Sequence, residues 1–260
     1  MIKIIDSDFT AFEEFKEFCK RDSFGTRIYS HFLCYGYDLN FVDFWVQIDE
    51  NMFVTTAFCR LDGDFVVSLS DESDFQEVSA FLEFQDKLSV TFDERYCDSI
   101  KFSTSVKSAG DVLLYKGNDY QIKPYDIVTP KLKVYHELLL TCESDDFFVP
   151  QYMTFLSDVS RRQQRCLCDI YGIMSDDTFV SCAMTVSYTE FSTILGAVAT
   201  HPEHRKHGYA GCIVKYLAEN CKNRGNVYIY TTVERNTRFY ESLGFIVNGR
   251  WIKYTMEDKI

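Results

Sequence analysis

The sequence predicts an α/β protein of the α+β kind, built as two halves of similar order. Short runs with strand-like alternation are framed by helical stretches, and both halves read helix, hairpin, strand, helix, which suggests an internal duplication. The 260 residues suffice for one large domain or two ordinary ones, and a 46% hydrophobic, 16% aromatic composition supplies a core without staples.

The first half opens with FTAFEEFKEFCKRD, where Phe9, Phe12, Phe15 or Lys16, and Cys19 fall at helical spacing. Strands follow at FVDFWVQID, MFVTTAFCRL and FVVSLS, separated by turns at Glu50–Asn51 and at DGD, and DFQEVSAFLEF reads as a helix. Two of the four prolines lie in KGNDYQIKPYDIVTPKLKVY, so the domain boundary is placed there, dividing 1–120 from 121–260.

In the second half KVYHELLLTC and PQYMTFLSDVSRRQQ are helical. RCLCDIYGIM, TFVSCAMTVSY and FSTILGAVAT are strands, turning at SDD and at Thr189–Glu190. A helix is predicted over 208–224, with Ile213, Val214, Leu217, Ala218 and Cys221 on its apolar face and Gly225 ending it. A fifth strand at 227–233, a short helix NTRFYESLG capped by Asn236, and a closing strand or pair FIVNGRWIKYTM complete the chain.

Charge separates the halves. Residues 1–120 hold 23 acids against 11 lysines and arginines, and residues 121–260 hold 16 against 16. Such a surface is a poor partner for nucleic acid, which needs cations for its phosphates. It would attract a cationic substrate, or simply keep the protein in solution. The N-terminal MIKIIDSDFT lacks the order of a signal peptide, and no apolar run is long enough for a bilayer. Ten cysteines without framework spacing read as reduced thiols, so a cytoplasmic protein is expected, with no membrane partner.

The densest basic cluster of this acidic chain, ATHPEHRKHGYAGC, lies between a strand ending at Thr200 and a helix starting near Gly208. That geometry gathers the free N–H groups of the first helical turn, with the positive end of the helix dipole behind them. It is an anion site, suited to a diphosphate. Gly208 lets backbone approach the ligand, Ala210 keeps the way clear, and Arg205 and Lys206 add charge.

Arg205-Lys206-His207-Gly208-Tyr209-Ala210 resembles the R/Q-x-x-G-x-G/A signature of the GNAT acyltransferases. GAVAT before it, Pro202, and Asn236…Phe239-Tyr240-Glu241…Gly244-Phe245 after it match the flanks, so the resemblance covers about 121–260. It implies a mixed, mostly antiparallel sheet flanked by helices, in tandem with a degenerate GNAT-like first half, and a cleft where the fourth strand (192–200) and the fifth splay apart. It also implies acetyl-CoA or another acyl-CoA as cosubstrate. The pyrophosphate would lie on Arg205, Lys206, His207, Gly208, Tyr209 and Ala210, with Asn236 also in the cofactor site. The pantetheine would pair like an added strand with Val198, Ala199 and Thr200. His207 stands where many relatives carry Gly or Lys, and Arg238 replaces a small residue.

The reaction implied is acyl transfer to the primary amine of a small molecule or protein. Keeping a lysine-like amine neutral at pH 7 costs on the order of 4 to 5 kcal/mol, which a base, a water chain or desolvation must offset. Tyr240 matches the tyrosine that often protonates the departing thiolate, because Phe239 and Leu243 would face the core and leave its phenol to point elsewhere. Glu234, placed at the end of the fifth strand, is the candidate base. Glu190 begins the fourth strand, on the order of 30 Å from Thr200, too far for proton transfer. His201, His204 and His207 recur every three residues and Cys166 and Cys168 alternate, but no C-x-x-C pair exists and Pro202 breaks a helical display, so no metal is expected.

In the first half FVVSLS runs into DESDFQE, four acids in seven residues without glycine, which would repel a pyrophosphate. Asp71, Glu72 and Asp74 are read as complementing a helix dipole. One active site is therefore expected, in the second half, with the first closing the acceptor side or completing the sheet. Two other readings are a CoA-binding sensor without catalysis and a tandem transferase using aminoacyl-tRNA, the latter disfavoured by the acidic half.

Overall fold

The computed structural model describes residues 1–100, 102, 106–119, 123, 125–144 and 147–256. The chain forms two compact units, one of Met1–Val112 with Asn248–Ile260, the other Leu113–Val247. The boundary expected between 120 and 121 falls outside the described residues. A return of the chain's end to the first unit is a feature no linker composition announces.

The first unit begins with β1 (Ile2–Ile4), α1 (Phe12–Cys19) and α2 (Ser23–Tyr35), then β2 (Val42–Ile48), β3 (Val54–Leu61), β4 (Asp64–Leu69), α3 (Phe75–Phe84) and β5 (Ser89–Asp93). Phe15 and Cys19 of the predicted face are buried in α1, together with Phe18. The helix α2 and the strands β1 and β5 add to the elements expected. In α2 the β-branched Thr26 and Ile28 and a glycine mask the helical pattern, although Asp22 caps it by accepting from the Gly25 amide at 2.7 Å. Asp62 and Gly63 take φ of 49° and 90° in the β3–β4 turn, the mirror-image geometry that suits a two-residue hairpin. Antiparallel pairs join β1 to β2, β2 to β3 and β3 to β4, whereas β4 and β5 run parallel.

Strand β6 (Val106–Tyr115) gives its last residues to the second unit, followed by β7 (Ile127–Val128), α4 (Leu132–Leu140), α5 (Tyr152–Gln164), β8 (Ile170–Ser175), β9 (Thr178–Tyr188) and β10 (Ser192–Thr200). Then come α6 (Tyr209–Cys221), β11 (Asn226–Thr231), α7 (Glu234–Ser242) and β12 (Phe245–Thr255). The closing segment is one strand, and its Trp251–Thr255 pair antiparallel with β5, so the first unit's sheet is completed by the end of the chain. In the second unit β7, β8, β9 and β10 are antiparallel neighbours and β10 runs parallel to β11. The architecture is the mixed, mostly antiparallel sheet flanked by helices that the sequence predicts.

Two cores hold that second sheet. On one face Ile213, Val214, Leu217 and Ala218 of α6 meet Leu195, Val227 and Ile229, all buried. On the other, Tyr135 and Phe155 of α4 and α5 pack on Cys182, Met184 and Ala199. Burying each large side chain contributes about 1.5–3 kcal/mol, so the two layers fix β10 from both sides. The helix predicted to 224 ends at Cys221 and tightens into a 3₁₀ turn, Lys222–Arg224. Gly225 follows at φ 145°, where a Cβ would stand 1.9 Å from the Phe191 carbonyl oxygen. All ten cysteines are free thiols.

Candidate active site

The turn between β10 and α6 is built from left-handed backbone. Lys206 has φ 67°, and Gly208, the residue before the helix, has φ 89°. A Cβ at Gly208 would meet nothing within 4 Å, so the dihedral rather than crowding selects glycine. Arg205's amide closes a 3₁₀ turn on the Pro202 carbonyl at 3.5 Å. Among the described residues, the amides of Lys206 through Gly211 have no acceptor, and no side chain caps α6. Five of the six predicted positions thus present a free N–H, and Arg205 contributes through its side chain.

The structure separates the side chains of that turn. Arg205 and Lys206 line a cavity of about 800 Å³. The Arg205 guanidinium lies back against the strand, Nε donating to the Thr200 carbonyl at 3.3 Å and Nη2 standing 3.9 Å from Cys142 Sγ. His207 turns away, its Nδ1 3.1 Å from the His204 carbonyl oxygen and its ring stacked on Tyr209 at 5.7 Å. Tyr209 buries its ring in the core, its phenol bonded to Ser175 Oγ at 3.1 Å. The cation at the turn comes from Arg205 and Lys206, and His207 and Tyr209 serve it through backbone alone.

The second wall of the cavity is a fork in the sheet. Only Ser192–Leu195 pair with Asn226–Ile229; beyond them β10 has no β11 partner. The β9 register is irregular between Gly196 and Ala199, where Ala197 takes φ 48°. This bulge bends β10 away and opens the splay expected between the fourth and fifth strands. Val198, Ala199 and Thr200 line the opening. The Ala199 carbonyl accepts from Ser181 Oγ at 3.0 Å, and the Thr200 carbonyl accepts from both Arg205 Nε and Cys142 Sγ at 3.3 Å.

Helix α7 forms the third wall and departs from the sequence reading in two ways. It begins at Glu234 with Val233 before it, so Asn236 lies in the first turn instead of capping it, its amide bonded to the Val233 carbonyl at 2.9 Å. Asn236 nonetheless lines the cavity. Glu234 follows β11, points to solvent with 78% of its side chain exposed, and pairs with Arg238 one turn on. It is outside the cavity lining. Phe239 and Leu243 share the face expected of them: Leu243 is buried and Phe239, half-buried, packs against the same core cluster while also lining the cavity.

Tyr240 both packs and faces the cavity. It is 7% exposed, its ring 5.9 Å from Phe245, and its hydroxyl has no hydrogen-bond partner among the described residues. Burial pushes its pKa well above the ordinary value for a phenol, because the phenolate would be desolvated. It therefore holds its proton throughout the neutral range.

The cavity has further walls that no motif flagged. Thr141, Cys142, Glu143, Ser144 and Phe147, following α4, line it, as do Thr232, Val233 and Arg235. The loop acids in CESDDFF were the one available signal, and its proximity to β10 is a tertiary fact. Among the described residues no group of three His, Cys, Asp or Glu side chains could hold a metal; the His201 and His204 rings stand 5.6 Å apart. None of the described helices is long and apolar enough to cross a membrane.

Residues 170–253 match the family model described as FR47-like protein. Among solved structures, the chain is similar to an acetyltransferase of the GNAT family from Colwellia psychrerythraea, at 12% identity and TM-score 0.59, covering 99% of this chain and 100% of that one. It is similar to a tandem GNAT protein from the clavulanic acid biosynthesis pathway at 11% identity and TM-score 0.60, covering 98% and 97%. A GCN5-related N-acetyltransferase from Sphaerobacter thermophilus matches at 12% identity and TM-score 0.63, covering 98% and 94%. No curated protein matches the chain in sequence.

Proposed function

From the premise that this chain carries the GNAT fold, we propose that it is an acyl-CoA-dependent N-acyltransferase, moving an acetyl or other acyl group from the CoA thioester to a primary amine. One observation carries the reading. The uncapped amides behind Gly208, the opened edge of β10 and the Tyr240 phenol all face one cavity.

The residues suit the cosubstrate part by part. The Lys206–Ala210 amides, the α6 dipole and the Arg205 and Lys206 side chains supply the donors and positive charge that a pyrophosphate needs. The edge of β10 at Val198–Thr200 offers backbone groups to the pantetheine amides. Acyl-CoA, when bound, supplies the activated acyl carbon that the amine attacks.

Tyr240 is then the acid. Its Oη has no competing partner among the described residues, so it can donate to the sulfur as the C–S bond breaks, and its raised pKa keeps the proton available. A charged amine brought against the buried Tyr240 would lose part of its hydration, which helps it shed its proton. Glu234 is too far out in solvent to be assigned that proton.

The test is acetyl-CoA binding by calorimetry together with thiol release in the presence of amines. Binding, and turnover lost in Tyr240→Phe, supports the transferase. Tight binding with no turnover on any amine would instead make the chain a CoA sensor.

A further inference from the structure

We propose that Tyr125, a residue outside the cavity, sets the selectivity of the β10–α6 turn for a diphosphate by fixing the direction of the Gly208 amide. The inference rests on the transferase reading and deepens it.

The starting point is a carbonyl that the helix gives up. In an uninterrupted helix the His207 carbonyl would accept from the Gly211 amide, four residues on. Gly208, at φ 89°, turns the peptide between 207 and 208 out of that line, and the first bond of α6 is donated by the Cys212 amide to the Gly208 carbonyl at 3.0 Å. The His207 carbonyl is met by another segment instead: the Tyr125 hydroxyl donates to it at 2.7 Å.

A trans peptide is planar, with its C=O and N–H antiparallel. Holding the His207 oxygen therefore holds the Gly208 N–H, pointed to the opposite side. The two sides differ, since Gly208 lines the cavity and neither Tyr125 nor His207 does. The bond thus draws a carbonyl oxygen away from the place of an incoming anion, which it would repel, and leaves the amide aimed there.

Tyr125 is itself held in place. Its ring lies 4.7 Å from that of Tyr209, which in turn stacks on His207 at 5.7 Å. It packs against the buried core that includes Tyr209, Cys212 and Ile213. Two residues on, β7 pairs with β8, Ile127 opposite Ile173 and Val128 opposite Gly172, and the Tyr209 phenol donates to Ser175 at the end of the same β8. Hydroxyl, rings and strand together tie the turn to the sheet. Such a tie matters because Lys206 at φ 67° holds a conformation disfavoured for a side chain with a Cβ, and no side chain caps α6. Released from Tyr125, the 207–208 peptide could rotate and present its oxygen to the cavity. In the transferase reading the thiol arm meets the edge of β10 and not this peptide, so the effect belongs to the phosphates. Tyr125 is accordingly a positioning residue, acting through backbone.

The experiment removes the hydroxyl and keeps the ring. Wild type and Tyr125→Phe are titrated with CoA, with dephospho-CoA, which keeps the diphosphate, and with pantetheine, which keeps the thiol arm and lacks the phosphates. Calorimetry reads the two nucleotides and ligand-observed NMR reads pantetheine. In Tyr125→Phe the Kd for CoA and for dephospho-CoA should each rise about tenfold, with pantetheine within about twofold of wild type. The melting temperature should fall by less than about 4 °C. Tyr125→Leu, which also lacks a donor, should repeat the pattern and serves if the Phe variant does not fold. CoA affinity unchanged in these variants, or an equal weakening of all three ligands, would overturn the inference. Failure of the wild type to bind CoA is a separate result, which removes the proposed function and this inference together.

Discussion

The two strand–helix crossovers of this molecule start from the same plan and end in opposite states. In each, a strand runs parallel to its neighbour for only a few residues before the pair stops: Asp64–Val66 with Ser89–Thr91 in the first unit, Ser192–Leu195 with Asn226–Ile229 in the second. A helix follows in both. In the first unit Asp74 caps α3, its carboxylate accepting from the Gln76 and Glu77 amides at 3.1 and 3.0 Å. Asp71 is engaged by the Tyr96 phenol, and Ser73 Oγ accepts from the Ser70 amide at 2.9 Å. In the second unit α6 has no such cap and begins on a left-handed glycine. A helix end satisfied by its own chain is finished structure, whereas one left open needs a partner from outside. The comparison marks the second unit as the one whose helix end is left open.

Importing the first unit's solution into the second should have the largest effect. Gly208→Asp would place a carboxylate before α6 and force a side chain into φ 89°. Affinity for CoA should fall at least about 100-fold by calorimetry, corresponding to roughly 2.7 kcal/mol. Retained CoA binding in this variant would sink the assignment of the turn.

Next in size is the proton donor. Tyr240→Phe should lower kcat by about 10²–10³-fold while the Kd for CoA changes less than twofold. The pH profile sharpens the point. Since burial raises the phenol's pKa, no alkaline loss of kcat should come from Tyr240 below pH 10, and kcat/KM should rise with pH as the acceptor amine, of pKa about 10.4, deprotonates. An unchanged kcat in the Phe variant would return this side chain to packing.

Arg205→Ala tests the full charge beside the open amides. It should weaken CoA binding about tenfold, roughly 1.4 kcal/mol, with a shallower dependence of Kd on salt than the wild type. The smallest effect belongs to the capped end: Asp74→Ala should cost about 1 kcal/mol of stability, read as a lower denaturant midpoint, with CoA affinity untouched. A CoA defect in Asp74→Ala would erase the distinction between the two crossovers.

Much of this contrast was legible from residues. Gly208 among basic neighbours, against DESDFQE without glycine, already separates an open helix end from one filled with carboxylate, because capping chemistry is local. The apolar face of α6 was equally plain: Ile213, Val214, Leu217, Ala218 and Cys221 are all buried. The miss at α2 has a local cause in its β-branched residues, and those at α7 turn on where the helix begins. Placing the cap at Asn236, where the structure has Val233, left Glu234 at the end of the fifth strand in the reading, when it opens α7 and pairs with Arg238 in solvent.

By itself the sequence determined the elements and the chemistry of the β10–α6 turn, since periodicity, left-handed glycine and charge act within a few residues. Only the tertiary structure decided that the end of the chain completes the first unit's sheet, that β10 bulges at Ala197, and that Glu143 shares a cavity with Tyr240. Those facts depend on which distant segments pack together, and packing is set by the fit of whole surfaces, which no short stretch encodes.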